Sequence, residues 1–143
     1  MTRIDFHSNV SDQLDYACRL VRKALAAQCQ LMVRHQSAQQ LAQFDELLWA
    51  FSASDFLPHV AAPEGEHPMA EHTPVLLTMQ PNATTLKPRQ ILLNLSTEVP
   101  SDFAEFERLI EIVAQAPEIT QAGRERYRFY QQQGYQLNHI LAK

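Results

Sequence analysis

Ile91-Leu92-Leu93-Asn94-Leu95 is apolar at successive rather than alternate positions and is too short to make a useful helix. A strand of that pattern buries both faces, the condition met in a parallel sheet covered by helices on each side. Val75-Leu76-Leu77-Thr78 reads the same way, with the turn-rich Gln80-Pro81-Asn82 segment between the two. Leu31-Met32-Val33 is a third short buried strand. Arg3 to His7 alternates as a strand and passes into Ser8-Asn9, read as a loop.

Helical stretches lie between these runs. Ser11 is the expected N-cap of a helix over about Asp12 to Gln28, with Leu14, Ala17, Cys18, Val21 and Leu25 on one stripe. Ser37 and Gln40 form a capping box for a second helix carrying Leu41, Phe44, Leu48 and Phe51 at helical spacing. Ser101 is the expected cap of a third, with Phe103, Phe106, Leu109, Ile110 and Val113 as its packed stripe. Ser52 to Thr73 is a long polar loop around an apolar island, Phe56-Leu57-Pro58-His59-Val60, and a tail with Tyr135, Leu137, Ile140 and Leu141 ends the chain. Strands alternating with helices predict an α/β fold, three-layer α/β/α, on a mostly parallel sheet.

The chain has 143 residues, 45% of them hydrophobic and only three of them glycine, which predicts one compact domain over residues 1–143. No run approaches the ~20 apolar residues of a membrane span, and Met1 to His7 holds no signal-peptide core, so a cytoplasmic location is expected. Cys18 and Cys29 lie about 16 Å apart along one helix, too far to bridge, and read as free thiols. A net charge of −4 argues against direct binding of nucleic acid.

Catalytic and cofactor motifs are missing. In a doubly wound sheet a phosphate-binding turn follows the first strand, and here that place is Ser8-Asn9-Val10-Ser11, without glycine. No GxGxxG, GxxxxGK[ST] or GxSxG occurs. His59, His67 and His72 stand near Glu64, Glu66 and Glu71, but in no zinc spacing, and read as mobile surface histidines. No catalytic residue, metal or cofactor is expected.

The most informative local feature is Arg124-Glu125-Arg126-Tyr127-Arg128-Phe129-Tyr130, on a helix that Pro117 and Glu118 open and Gly134 ends. At about 100° per residue, Thr120, Arg124, Tyr127, Arg128 and Gln131 share one face, with Ile119, Ala122, Arg126 and Tyr130 opposite. A solvated basic face is the plain alternative, but arginine beside tyrosine is the pairing that dominates interface hot spots. Arg126, on the apolar side, is expected to pack its stem and pair its head with a carboxylate.

Six segments together resemble the chi subunit of bacterial DNA polymerase III holoenzyme: Asp45-Glu46-Leu47-Leu48-Trp49-Ala50, Phe56-Leu57-Pro58-His59, Gln90-Ile91-Leu92-Leu93-Asn94-Leu95, Asp102-Phe103-Ala104-Glu105-Phe106, the Arg124 to Tyr130 cluster, and Gly134-Tyr135-Gln136-Leu137-Asn138. That resemblance implies a fold like that of nucleotide-binding proteins without their phosphate loop, and no catalysis. It implies an adaptor that joins the clamp loader, through the psi subunit, to the acidic C-terminal tail of single-stranded-DNA-binding protein. By the same match Arg124 is the principal tail-binding residue, with Tyr127 and Arg128 beside it, while Trp49, Phe56 and Pro58 hold psi on a face that an accessory helicase could share. This sequence departs from the family just before Arg124: the connection from Pro117 is shorter, and Thr120 stands where a lysine can occur. On the residues alone, Trp49 and Phe56 fit either a core or an exposed anchor. The rival functions are a degenerate nucleotide-binding domain, a self-associating scaffold and, weakest, a DNA binder.

Overall fold

A computed structural model describes residues 2–51, 56–63, 69, 73–80 and 90–142. Among the described residues seven strands form one sheet: β1 (Arg3–Val10), β2 (Leu31–Arg34), β3 (His59–Ala61), β4 (Val75–Thr78), β5 (Ile91–Asn94), β6 (Arg108–Ala114) and β7 (Leu137–Leu141). Their spatial order is β3-β4-β2-β5-β6-β1-β7, and every pairing is parallel. The helices are α1 (Gln13–Ala26), α2 (Ala38–Ala50) and α3 (Pro117–Gln132).

Alternate residues of each strand feed two cores. Leu31, Val33, Leu77, Leu93, Ile110 and Ile112 pack with Ala17, Cys18 and Val21 of α1 and Leu41, Phe44 and Leu48 of α2. Ile4, Phe6, Met32, Leu76, Leu92, Leu109 and Val113 pack on the other side with Tyr130 of α3. Two helices below the sheet and one above give the expected three layers, and the uninterrupted apolar runs are the strands buried on both faces.

Several local expectations need correction. Asp12, not Ser11, caps α1, accepting the Asp15 amide at 3.2 Å. Ser37 does cap α2, accepting from the Gln40 amide. The helix expected after Ser101 is a short 3-10 turn (Phe103–Glu105) followed by β6. Its apolar residues mimic helical spacing because a turn and a doubly buried strand run together. Val60 belongs to the edge strand β3 and the apolar tail to the opposite edge, β7.

Ser8-Asn9 is not a loop but a bulge inside β1. Three residues of β1 advance, His7 to Val10, while β6 advances two, Ile112 to Ala114, and Asn9 absorbs the excess at φ 60°. His59 is buried rather than a surface residue, with Nδ1 2.6 Å from the Leu57 carbonyl and Nε2 3.0 Å from Asp45 Oδ1. His67, His72, Glu64, Glu66 and Glu71 lie outside the described residues. Cys18 and Cys29 are unbridged, and burial, with Asp15 and Asp12 adding to it, pushes the Cys18 thiol up to about 12.

Ion pairs and hydrogen bonds tie the strands to one another and to the 3-10 turn. Arg34 at the end of β2 makes two bonds to Asp102, at 2.8 and 2.9 Å, which fix the 3-10 turn against the sheet. Asp5 in β1 accepts from Arg108 of β6 at 2.7 Å and from Asn138 of β7 at 2.9 Å. Burial alone would raise the Asp5 carboxyl, but the bonds from Asn138 and Arg108 and the charges of Arg108 and Arg3 outweigh it, so its pKa lies below the ordinary value. A depressed folded pKa makes this contribution complete above the unfolded value of about 3.9 and lost as pH falls through the folded one. Asp5→Asn should therefore cost about 1–3 kcal/mol at pH 7 and progressively less below pH ~4. Denaturant unfolding of both proteins across that range checks it; a cost that stays constant to pH 2 would contradict it.

Candidate functional site

The connections of the sheet open a crevice above the carboxyl ends of β1 and β6. From β1 the chain crosses one face through α1 toward β2, and from β6 it crosses the other through α3 to β7. Ends of neighbouring strands whose connections diverge are where open α/β sheets bind ligands. A cavity of about 550 Å³ occupies the place, between α3 and the ends of β1, β6 and β7.

Its floor is apolar: Phe6, Val113, Gly123 and the ring of Tyr127. Gly123 explains itself here, since a Cβ would lie 2.9 Å from a Val113 methyl. Its absence lets α3 approach β6, and this outweighs the helical cost of glycine, about 1 kcal/mol. Tyr127 is half-buried and meets Phe6 edge to face at 5.1 Å. Arg124 and Arg128 stand exposed at the rim, and Thr120 lines the same wall with its hydroxyl donating to the Ala114 carbonyl at 3.2 Å. Thus Thr120, Arg124, Tyr127 and Arg128 come together at one cavity.

What orients that wall is the opposite face of α3. Glu111, fully buried in β6, accepts from Arg126 Nε at 3.1 Å, from the Tyr130 hydroxyl at 2.6 Å and from Asn94 Nδ2 at 3.0 Å. Burial pushes the Glu111 carboxyl up against the opposing pull of Arg126, and burial with the Glu111 charge pushes the Tyr130 phenol up as well. Arg126 thus has the structural role its place on the wheel predicted, and it fixes the rotation of α3 that turns Arg124 and Arg128 outward.

A second surface lies on the other side of the molecule. Trp49 at the end of α2 is 56% exposed and Phe56 is 69% exposed, with ring centroids 5.6 Å apart. Trp49 rests on the buried His59 ring at 4.6 Å. Pro58 is half-buried and lines, with Phe56, a groove against Arg22, Leu25 and Cys29 near the end of α1. Trp49 and Phe56 stand on the surface, not in the core.

The model of the family described as DNA polymerase III chi subunit, HolC, matches residues 1–138. The chain belongs to the chi family. Among curated proteins it is 35% identical over 142 residues to DNA polymerase III subunit chi of Pseudomonas aeruginosa, covering 96% of this chain and 94% of that one. It is 28% identical over 121 residues to the chi subunit of Escherichia coli, covering 85% and 80%, and 26% identical over 125 residues to that of Haemophilus influenzae, covering 87% and 83%.

Membership of the chi family leaves the cavity's other walls to the structure. Phe6, Ser8, Asn9, Val113, Gln115 and His139 line it, none of them read from the sequence as a member of this site. They come from three strands far apart in the chain, and no local pattern announces that β1, β6 and β7 lie side by side. Glu111 was likewise missed, although a lone acid within Leu109-Ile110-Glu111-Ile112-Val113 signals a buried charge needing a partner. Among the described residues no helix is long and apolar enough to cross a membrane.

Proposed function

We propose that this chain is a non-catalytic adaptor of the DNA polymerase III clamp-loader assembly, holding the acidic C-terminal tail of single-stranded-DNA-binding protein on α3 and a psi-type subunit on the Trp49 face. The observation that carries it is the cavity beneath Arg124 and Arg128, apolar at its floor and cationic at its rim. That pairing suits a chain end bearing an aromatic ring beside a carboxylate, preceded by aspartates. An arginine fork takes a carboxylate through two charge-assisted bonds, each contributing ~1.5–3 kcal/mol. With burial of the ring and the cost of ordering the peptide, about 8 kcal/mol and micromolar affinity follow.

Titration of the protein with a tail peptide, beside the same peptide shortened by its last residue, tests the assignment. The intact peptide binds and the shortened one does not, because ring and terminal carboxylate leave their places together. Equal affinity for the two would refute it.

Trp49, Phe56 and Pro58 form the psi-binding face in this reading, which an accessory helicase could share. Two exposed aromatic rings in contact are the anchor type that interfaces favour. Trp49→Ala is expected to weaken capture of a psi-type subunit by more than about 1 kcal/mol while shifting folding stability by about 1 kcal/mol or less. Pull-down and thermal unfolding on the same variant check both halves; intact capture excludes Trp49 from that face.

A further inference from the structure

The two edges of the sheet are not alike. β3 is three residues long and stands between Pro58 and Pro63, which blunts that edge against further pairing. β7 is five residues, Leu137-Asn138-His139-Ile140-Leu141, without proline, acid, lysine or arginine, and Ile140 is 40% and Leu141 65% exposed. It is the outermost strand and pairs with β1 alone. Just past it, Ala142 turns both of its backbone groups inward: its amide donates to the Ser8 carbonyl at 2.9 Å and its carbonyl accepts from Asn9 Nδ2 at 3.3 Å. Backbone groups alternate sides along a strand, so Ile140 and Asn138 also face β1, while Leu141 and His139 point N–H and C=O away from the sheet. Among the described residues no strand lies beyond them.

The same two residues border the cavity. His139 pairs with Phe6 and Leu141 with Ser8, both of which line it, and His139 lines it as well. The His139 ring meets Tyr127 of α3 edge to face at 6.4 Å, so its side chain rises on the α3 side. Resting on the tail-binding function proposed above, we infer that the acidic tail binds as a further strand along β7, its backbone bonded to His139 and Leu141 while a side chain on the α3 side enters the cavity. A strand added to an edge draws affinity from main-chain bonds and selectivity from pockets for alternate side chains. Here that pocket is apolar at its floor, with Arg124 and Arg128 at its rim and no acid in its lining. An aspartate-rich strand therefore meets cations beside an edge that carries no charge to oppose it. A second copy of this chain would bring only an equally uncharged edge and leave the arginines without anions.

The test is amide hydrogen exchange, read residue by residue by NMR on the full chain, alone and saturated with an N-acetylated peptide of several aspartates ending in phenylalanine. The amides of His139 and Leu141 are expected to exchange fast in the free protein and about tenfold or more slower in the complex, while those of Asn138 and Ile140 are slow in both. Leu141→Pro removes an outward N–H that the ladder with β1 does not use, and should bind the peptide about threefold to tenfold more weakly than Leu141→Ala. Binding that leaves the His139 and Leu141 amides fast, or equal affinity in Leu141→Pro and Leu141→Ala, overturns the added strand and leaves the tail site standing. Protection of those amides without peptide, growing with protein concentration, gives the edge to a second copy and overturns it too. No binding by the native protein overturns the tail site itself, and the inference with it.

Discussion

Arg126→Ala is expected to lose about 3–5 kcal/mol of folding stability, the usual result of removing one partner from a buried ion pair. Glu111 would remain with no exposed surface, holding hydrogen bonds from Tyr130 and Asn94 but no positive charge. The loss is a large share of the 5–15 kcal/mol that keeps a domain folded. Denaturant unfolding at pH 7 measures it. Arg126→Met with Glu111→Leu, which removes both charges and keeps the volume, should recover much of the loss. A single variant as stable as the native protein would mean that the Arg126–Glu111 contact at 3.1 Å contributes nothing to the fold.

Arg124→Ala is expected to weaken the acidic tail peptide by about 2 kcal/mol or more, roughly thirtyfold, with stability unchanged. The side chain is exposed and, among the described residues, makes no ion pair, so truncating it removes a ligand contact without disturbing an internal one. Arg128→Ala should show a smaller loss of the same kind, and Thr120→Ala little, since that hydroxyl is already bonded to Ala114. Salt should erode the native affinity more than that of Arg124→Ala, because attraction between exposed charges is screened over about 10 Å at 0.1 M. Calorimetry at two salt concentrations distinguishes them. Unchanged affinity in Arg124→Ala would remove the residue from the site.

How far each part could be read in advance follows from how local its signal is. The buried strands β2, β4 and β5 were legible because three consecutive apolar residues between turns have few other solutions. β6 was not, because Glu111 interrupts its apolar run and Phe103 and Phe106 upstream prolong the spacing into an apparent helical stripe. The β-branched Ile112-Val113 was the available contrary signal. β7 gave little, being an exposed edge with no alternation to enforce. At the candidate site the α3 wall was legible because one helical wheel contains it. Its opposite wall depends on strand order, which single-strand patterns do not encode.

β1 lies between β6 and β7, so this strand finds its neighbours only about a hundred residues and more further along the chain. Contacts such as Ile4 with Leu109 and Leu137 span more than a hundred residues, and closing loops of that size slows folding. Until β6 has been made, Arg3–Val10 has neither ladder to join, and a nascent chain stopped before it presents the strand unpaired to whatever chaperone or aggregate comes first. The candidate crevice is thus assembled only once β6, α3 and β7 have joined β1, and a ribosome that stalls before β6 yields a product lacking it altogether.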